Sequence, residues 1–447
     1  MKKNFKRVLS AALVVVMLFT AFPAVFAFGS KETDYTIISP YEQVDWSTWK
    51  TYKANLHAHC DASDGDPTLD EMVEEYYKAG YDILAMTDHG VITNGWTSER
   101  ETNGIFNKFR KVYPMSEENY ERITKGLDRG GRGMTDIRGG IECNMAVISK
   151  THVNGYFTTY GQGEWGIEND YRTAPVEIEK AGGYSVLNHV GDWVDSGRFP
   201  HRSHWNVYIA YFAGIFIDCP SCLGMEIVNN TDNVTRGDRD LWDELLQVVI
   251  PKGRNIWAFA DDDSEQLNEV GRSFEFFVLP ENNEENVKKA MKDGNFFAAS
   301  RYYKTTDRVG EFEGDGNVPL VTDIKVDQKA NTITVATDPT RDCQVIEWIA
   351  DGKVIATGNT IDLNDYEEDL GCYIRFQMKG SGGVTYSQPF ELQYKGRIDK
   401  PVPSWALWVF KTEAGQKFMK FYHSHSFALG AFIAEKIRIL IEDNIKK

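Results

Sequence analysis

Residues 52–90 read YKANLHAHCDASDGDPTLDEMVEEYYKAGYDILAMTDHG, and they set the pattern for most of the chain. Tyr52 to His59 reads as a strand. His57 and His59 lie two apart, so on a pleated backbone both side chains point to one face. Pro67 to Gly80 reads as a helix: Thr68 is placed to cap it, Glu71 follows three residues later as in a capping box, and Gly80 is placed to end it. Asp82 to Thr87 is a second short apolar run, closed by Asp88-His89.

This alternation continues. Ile137 to Ile148, Tyr184 to His189, Met225 to Val228 and Ile256 to Ala260 have strand character, while Ala174 to Ala181 and Arg239 to Val249 have helical character. Such a series predicts an α/β barrel or a parallel sheet. Near residue 320 the pattern changes to short strands: Leu320 to Val326, Thr332 to Thr337, Gln344 to Ala350, Lys353 to Ala356, Cys372 to Met378 and Gly383 to Leu392. Asp351-Gly352 is a tight hairpin signal among them. We expect a small all-β sandwich over 318–397. Lys400-Pro401-Val402-Pro403 then marks a linker. The tail, 401–447, holds an amphipathic helix with Leu429, Phe432, Ile433, Ile437, Leu440 and Ile441 on one face.

Residues 1–27 read as an export signal: a basic start (Lys2, Lys3, Lys6, Arg7), an apolar stretch from Val8 to Phe22, Pro23, and a cleavage site at Val25-Phe26-Ala27. A lead-in segment, 28–51, follows. A secreted or cell-surface protein is expected, with an uncleaved anchor as the alternative reading and no later membrane span. The chain's 447 residues exceed one ordinary core, and its net charge of −17 repels phosphate backbones. No stable nucleic-acid complex is expected. A small phosphorylated substrate remains compatible, because bound cations reverse the local sign. Six cysteines are few for a disulfide scaffold. Cys343 and Cys372 could pair, and Cys219-x-x-Cys222 reads as a local disulfide or as buried thiols. Oligomeric state is not legible.

The chemistry lies in metal-ligand residue types at strand ends. His57 and His59 share a face, and Asp64 sits in the turn Ser63-Asp64-Gly65, able to return over the strand end. Asp88 and His89 close the next strand. Glu142 lies in Gly139-Gly140-Ile141-Glu142-Cys143, His152 and His189 come at later ends, and Asp261, Asp262, Asp263 and Glu265 follow Ile256 to Ala260. A lone His-x-His says little, but five of the chain's nine histidines fall at strand ends of one region, where barrel enzymes build their sites. Mixed nitrogen and oxygen donors suit zinc, manganese or iron rather than calcium. There is no G-x-S-x-G elbow, Walker A loop or H-E-x-x-H.

Asn55-Leu56-His57-Ala58-His59, then Ser63-Asp64-Gly65, then Thr87-Asp88-His89 resembles the opening of the PHP domain, the polymerase-and-histidinol-phosphatase family. The resemblance covers roughly residues 52–305, within a domain drawn at 52–310. It implies a distorted seven-stranded (β/α) barrel, followed here by the β-sandwich and the C-terminal helix. It also implies two or three divalent ions and hydrolysis of a phosphomonoester or short oligonucleotide by metal-activated water. Position by position, it implies His57, His59, Asp64, His89, Glu142, His152, His189 and Asp263 as ligands, Glu142 being the bridging carboxylate. Glu265 stands where a histidine is usual and is expected to ligate in its place, and an alignment shifted by one would use Asp262. Asp88 is expected beside a metal-bound imidazole, fixing its orientation. Arg198 and His201, with Arg202 and His204, are candidates to hold the phosphate. Alternative readings are a PHP-type protein-tyrosine phosphatase and a non-catalytic metal-binding surface protein.

Overall fold

The computed structural model describes residues 34–101, 111–143, 151–163, 170–194, 206–401, 412 and 414–415. The expected export signal and the amphipathic C-terminal helix lie outside them. The chain divides by its contacts into Met1–Asp34 and Tyr35–Lys447, and every element below belongs to the second unit.

The first eleven strands are β1 (Thr36–Ile38), β2 (Lys50–Asn55), β3 (Ile83–Ala85), β4 (Thr135–Ile137), β5 (Ile141–Cys143), β6 (Val153–Tyr156), β7 (Tyr184–Leu187), β8 (Cys222–Asn229), β9 (Trp257–Asp261), β10 (Ser273–Leu279) and β11 (Phe296–Ser300). β2, β3 and β4 run parallel, with Ala54 opposite Ile83 and Ile83 opposite Thr135. Parallel neighbours need a crossover. Between β2 and β3 it is the helix Leu69–Lys78, where Thr68 and Glu71 form the expected capping box and Leu69, Met72, Val73, Tyr76 and Tyr77 are buried. A cap stabilises by ~1 kcal/mol, against roughly 1.5–3 kcal/mol for each large apolar side chain buried. The buried face therefore holds the helix, and the cap sets where it starts.

β5 to β9 form a second sheet, antiparallel through β5, β6 and β7 and parallel through β7, β8 and β9. The helices Asn206–Asp218 and Asp238–Val249 fill the last two crossovers. The two sheets touch through isolated bridges at one rim, Ala58 with Ser264 and His89 with Glu142. The architecture is mixed α/β, and the described residues do not form the expected closed seven-stranded barrel. The reason lies in the run from Ile137, expected to be one strand. Gly139 has φ +65 and breaks it, so β4 stays with β3 while β5 enters an antiparallel meander.

The remaining strands are β12 (Tyr302–Tyr303), β13 (Phe312–Glu313), β14 (Val321–Asp327), β15 (Thr332–Thr337), β16 (Val345–Ala350), β17 (Lys353–Thr357), β18 (Thr360–Asp362), β19 (Tyr373–Gly380), β20 (Gly383–Tyr386) and β21 (Phe390–Gln393). The strand-rich stretch is therefore present. β14, β15 and β18 make a three-stranded sheet, but β16, β17, β19, β20 and β21 are hydrogen-bonded into the sheet that contains β10 and β2. The join is β11 with β20, Ala298–Ser300 against Val384–Tyr386. Asp351 and Gly352 form the expected hairpin, Ala350 opposite Lys353, with φ +48 and +76 as a type I′ turn requires. All six cysteines are free thiols. The Cys343–Cys372 pair is not formed, and Cys219 and Cys222 are the buried-thiol alternative.

Candidate metal centre

The rim where the two sheets touch is built by short backbone exchanges. His59 N–H donates to the Ser264 carbonyl, Asp263 N–H to the His57 carbonyl, Thr87 N–H to Ala58 and Gly90 N–H to Glu142. Two glycines permit the approach. A Cβ on Gly140 would lie 2.3 Å from the Met86 carbonyl oxygen, so only glycine lets the Glu142 strand lie against the end of β3. A Cβ on Gly65 would lie 2.7 Å from the Cys60 backbone, which is how the Ser63-Asp64-Gly65 turn folds back over the strand end.

Glu142 is at the centre. Its Oε2 lies 3.2 Å from His57 Nε2, His59 Nε2 and His89 Nδ1. Its Oε1 lies 3.2 Å from His152 Nδ1 and 3.5 Å from His189 Nε2. Asp263 Oδ1 is 3.0 Å from both His57 Nε2 and His59 Nε2. Asp64 reaches His59 Nδ1 at 3.5 Å and His89 Nε2 at 3.3 Å. Three overlapping donor groups result: His57, His59, Glu142 and Asp263; His59, Asp64 and His89; and His89, Glu142 and His152. His57 and Glu142 are closed off, whereas the side chains of Asp64, Asp263 and His152 are 37%, 21% and 18% exposed. The centre opens on that side.

Solved structures overlap this chain, among them one described as a PHP-like metal-dependent phosphoesterase. It is a two-domain Bacteroides vulgatus protein described as containing a predicted enzyme of that kind, 15% identical with a TM-score of 0.40, over 82% of this chain and 92% of that one. Another is the lesion-specific endonuclease EndoQ of Pyrococcus furiosus, 13% identical with a TM-score of 0.34, over 54% of this chain and 56% of that one. A third is a Bifidobacterium adolescentis protein provisionally assigned as a metal-dependent phosphoesterase, 13% identical with a TM-score of 0.27, over 47% and 87%. No family model matches the sequence, and no curated protein matches it. At such partial overlap, what the centre can do is decided by its own side chains.

Those side chains fit divalent cations. Ligand atoms bound at about 2.0–2.2 Å to one ion lie roughly 3.0–3.5 Å apart, which is the spacing seen between these nitrogens and oxygens. His57 Nε2 and His89 Nδ1 are buried with no hydrogen-bond partner although carboxylate oxygens lie beside them, as expected of lone pairs aimed at a common ion. Burial favours neutral Glu142, but His57, His89 and His152 outweigh it and hold the carboxyl well below its usual range. Burial likewise favours neutral His57, but Asp263, Glu142 and Glu226 raise it well above an ordinary histidine. His189 is raised to about 9, its burial offset by Glu142 and Asp263. His59 and His89 are raised in the same way, whereas burial lowers His152.

Other expected residues fall elsewhere. Glu265 is exposed and belongs to none of the three donor groups. Asp262 accepts from Tyr81 Oη and from the backbone of Gly271, Arg272 and Ser273; it folds the loop, and Asp263 faces the histidines. Asp88 touches no imidazole among the described residues. Its Oδ1 accepts from Cys60 N–H and Ser63 Oγ, its Oδ2 pairs with Arg100, and Ser63 Oγ lies 3.3 Å from His59 Nδ1. Arg198, His201, Arg202 and His204 lie outside the described residues. Sequence reasoning missed two residues. Asn188 Nδ2 donates to Glu142 Oε1 at 2.7 Å, and Glu226 Oε1 lies 2.7 Å from His57 Nδ1. The available signal for Glu226 was an acid within β8, all eight of whose residues are buried.

Proposed function

We propose that this chain is an exported, PHP-type, metal-dependent phosphoesterase that hydrolyses a phosphomonoester or trims a short oligonucleotide. The observation that carries the reading is the convergence of His57, His59, His89, His152 and His189 on one buried carboxylate, Glu142, with Asp64 and Asp263 beside them. These residues would hold two or three divalent ions, zinc, manganese or iron by donor type. Ions bound there would supply a water acidic enough to ionise near neutral pH and positive charge for phosphoryl oxygens.

The protein's own part is placement. Glu142 offers each oxygen to a different set of histidines, and Asn188 fixes its rotamer. Ser63, held by Asp88, lies against His59 from behind. The closed side around His57 excludes water, and the open side at Asp64, Asp263 and His152 admits substrate.

The test is elemental analysis of purified protein, followed by assays on an aryl phosphate, nucleoside monophosphates, sugar phosphates, a dinucleotide and a phosphotyrosine peptide. Metal-dependent turnover supports the reading, and a preference for the peptide selects the tyrosine-phosphatase form. Full metal occupancy with no turnover on any of them would instead make it a metal-binding surface protein.

A further inference from the structure

Glu226 lies on β8, with its side chain fully buried. One carboxylate oxygen, Oε1, is 2.7 Å from His57 Nδ1. The other, Oε2, accepts the His189 backbone N–H at 2.7 Å and Asn229 Nδ2 at 3.0 Å. Asn229 Nδ2 in turn reaches Asp263 Oδ2 at 3.1 Å. One acid thus touches His57 and His189 directly and Asp263 through one amide. His189 and Asp263 have φ of +28 and +47, backbone values that L-residues adopt only at a cost of order 1–3 kcal/mol and only where their surroundings enforce them. The Glu226 bond to His189 N–H supplies such enforcement.

A carboxylate only accepts, so the proton between His57 and Glu226 sits on Nδ1. In the neutral imidazole that a metal would require, this leaves the His57 Nε2 lone pair facing Glu142 and Asp263. His59 is held less closely: its Nδ1 faces Ser63 Oγ at 3.3 Å and the partly exposed Asp64 at 3.5 Å, against 2.7 Å between His57 and Glu226.

We propose that Glu226 is the positioning residue of this centre, fixing the His57 tautomer and holding His189 and Asp263 in place. Its effect is greatest on the cation held by His57, His59, Glu142 and Asp263. This rests on the metal reading given above. Outer carboxylates of this kind are worth 10–100-fold in metal affinity.

The experiment compares wild type, Glu226→Gln and Asn229→Ala by zinc titration calorimetry and bound-metal counting, with 15N-histidine NMR of the zinc-loaded wild type. The expected result is that Glu226→Gln weakens one class of zinc site 10–100-fold while a second class, at His89, Glu142 and His152, keeps its affinity. Asn229→Ala should weaken the same class by less. In the wild type, His57 should carry its proton on Nδ1 and zinc on Nε2. Wild-type affinity in Glu226→Gln, or an Nε2 proton on His57 in the zinc-loaded wild type, would overturn the proposal while leaving the metal reading intact. A wild type that binds no zinc, manganese or iron would overturn both. The NMR arm does not depend on either variant folding.

Discussion

Replacing Glu142 by glutamine keeps the shape of the side chain and removes the charge on which five imidazoles converge. Its two oxygens lie 3.2–3.5 Å from all five histidines, so one substitution damages more than one cation position. The size of the effect follows from linkage. An ion present at 100 times its dissociation constant stabilises the folded state by about 2.7 kcal/mol, and two such ions by about 5 kcal/mol. For 447 residues, an unfolding entropy of about 2.1 cal/mol/K per residue converts this to an upward shift of about 6 °C. Scanning calorimetry of wild type and Glu142→Gln, each with a chelator and with excess zinc or manganese, reads it directly. Wild type should gain about 6 °C with metal, and the variant should gain less than about 2 °C on the same linkage scale. An equal metal-dependent shift in both proteins would refute the bridging role of Glu142.

Metal affinity should rise with pH across the neutral range. The carboxylates hold His57, His59, His89 and His189 above their ordinary pKa, and each histidine that becomes a ligand must first lose its proton. Titration at pH 6, 7 and 8 should show up to about tenfold per unit for each proton displaced, and a flat profile would contradict the assignment. Asp136, which accepts from Trp96 N–H, is raised by burial to about 7. Its folded pKa exceeds the unfolded value, so its contribution is fully present below pH ~4 and lost as pH rises through ~7. Asp136→Asn should therefore gain stability relative to wild type at pH 8, by at most about 4 kcal/mol, with no gain at pH 4 in denaturant melts. Glu265→Ala should bind as many ions as wild type in bound-metal counting, since Glu265 lies outside the donor groups; loss of an ion would restore it as a ligand.

The convergence of these side chains was legible because metal-ligand residue types stand at strand ends, and because the turn Ser63-Asp64-Gly65 is able to return over one of them. The helix Leu69–Lys78 was legible down to its cap. Consecutive acids were not separable by pattern. Asp262 and Asp263 differ only in where the backbone turns them, one onto the amides of 271–273 and the other, at φ +47, onto the histidines. Glu226 was hidden in an apolar run whose strand character drew attention away from its single acid. The barrel expectation failed at Gly139, because strand count and helix alternation do not say whether neighbouring segments pair in parallel. The continuity of β11 with β20 was equally unreadable, since pairing across distant segments leaves no local trace.

Anomalous diffraction from crystals grown with zinc or manganese would place any bound ions without reference to activity. The account predicts at least two peaks, each within bonding distance of a Glu142 oxygen, with His57, His59 and Asp263 around one and His89 and His152 around the other. A metal-replete crystal with no peak at Glu142 would contradict it.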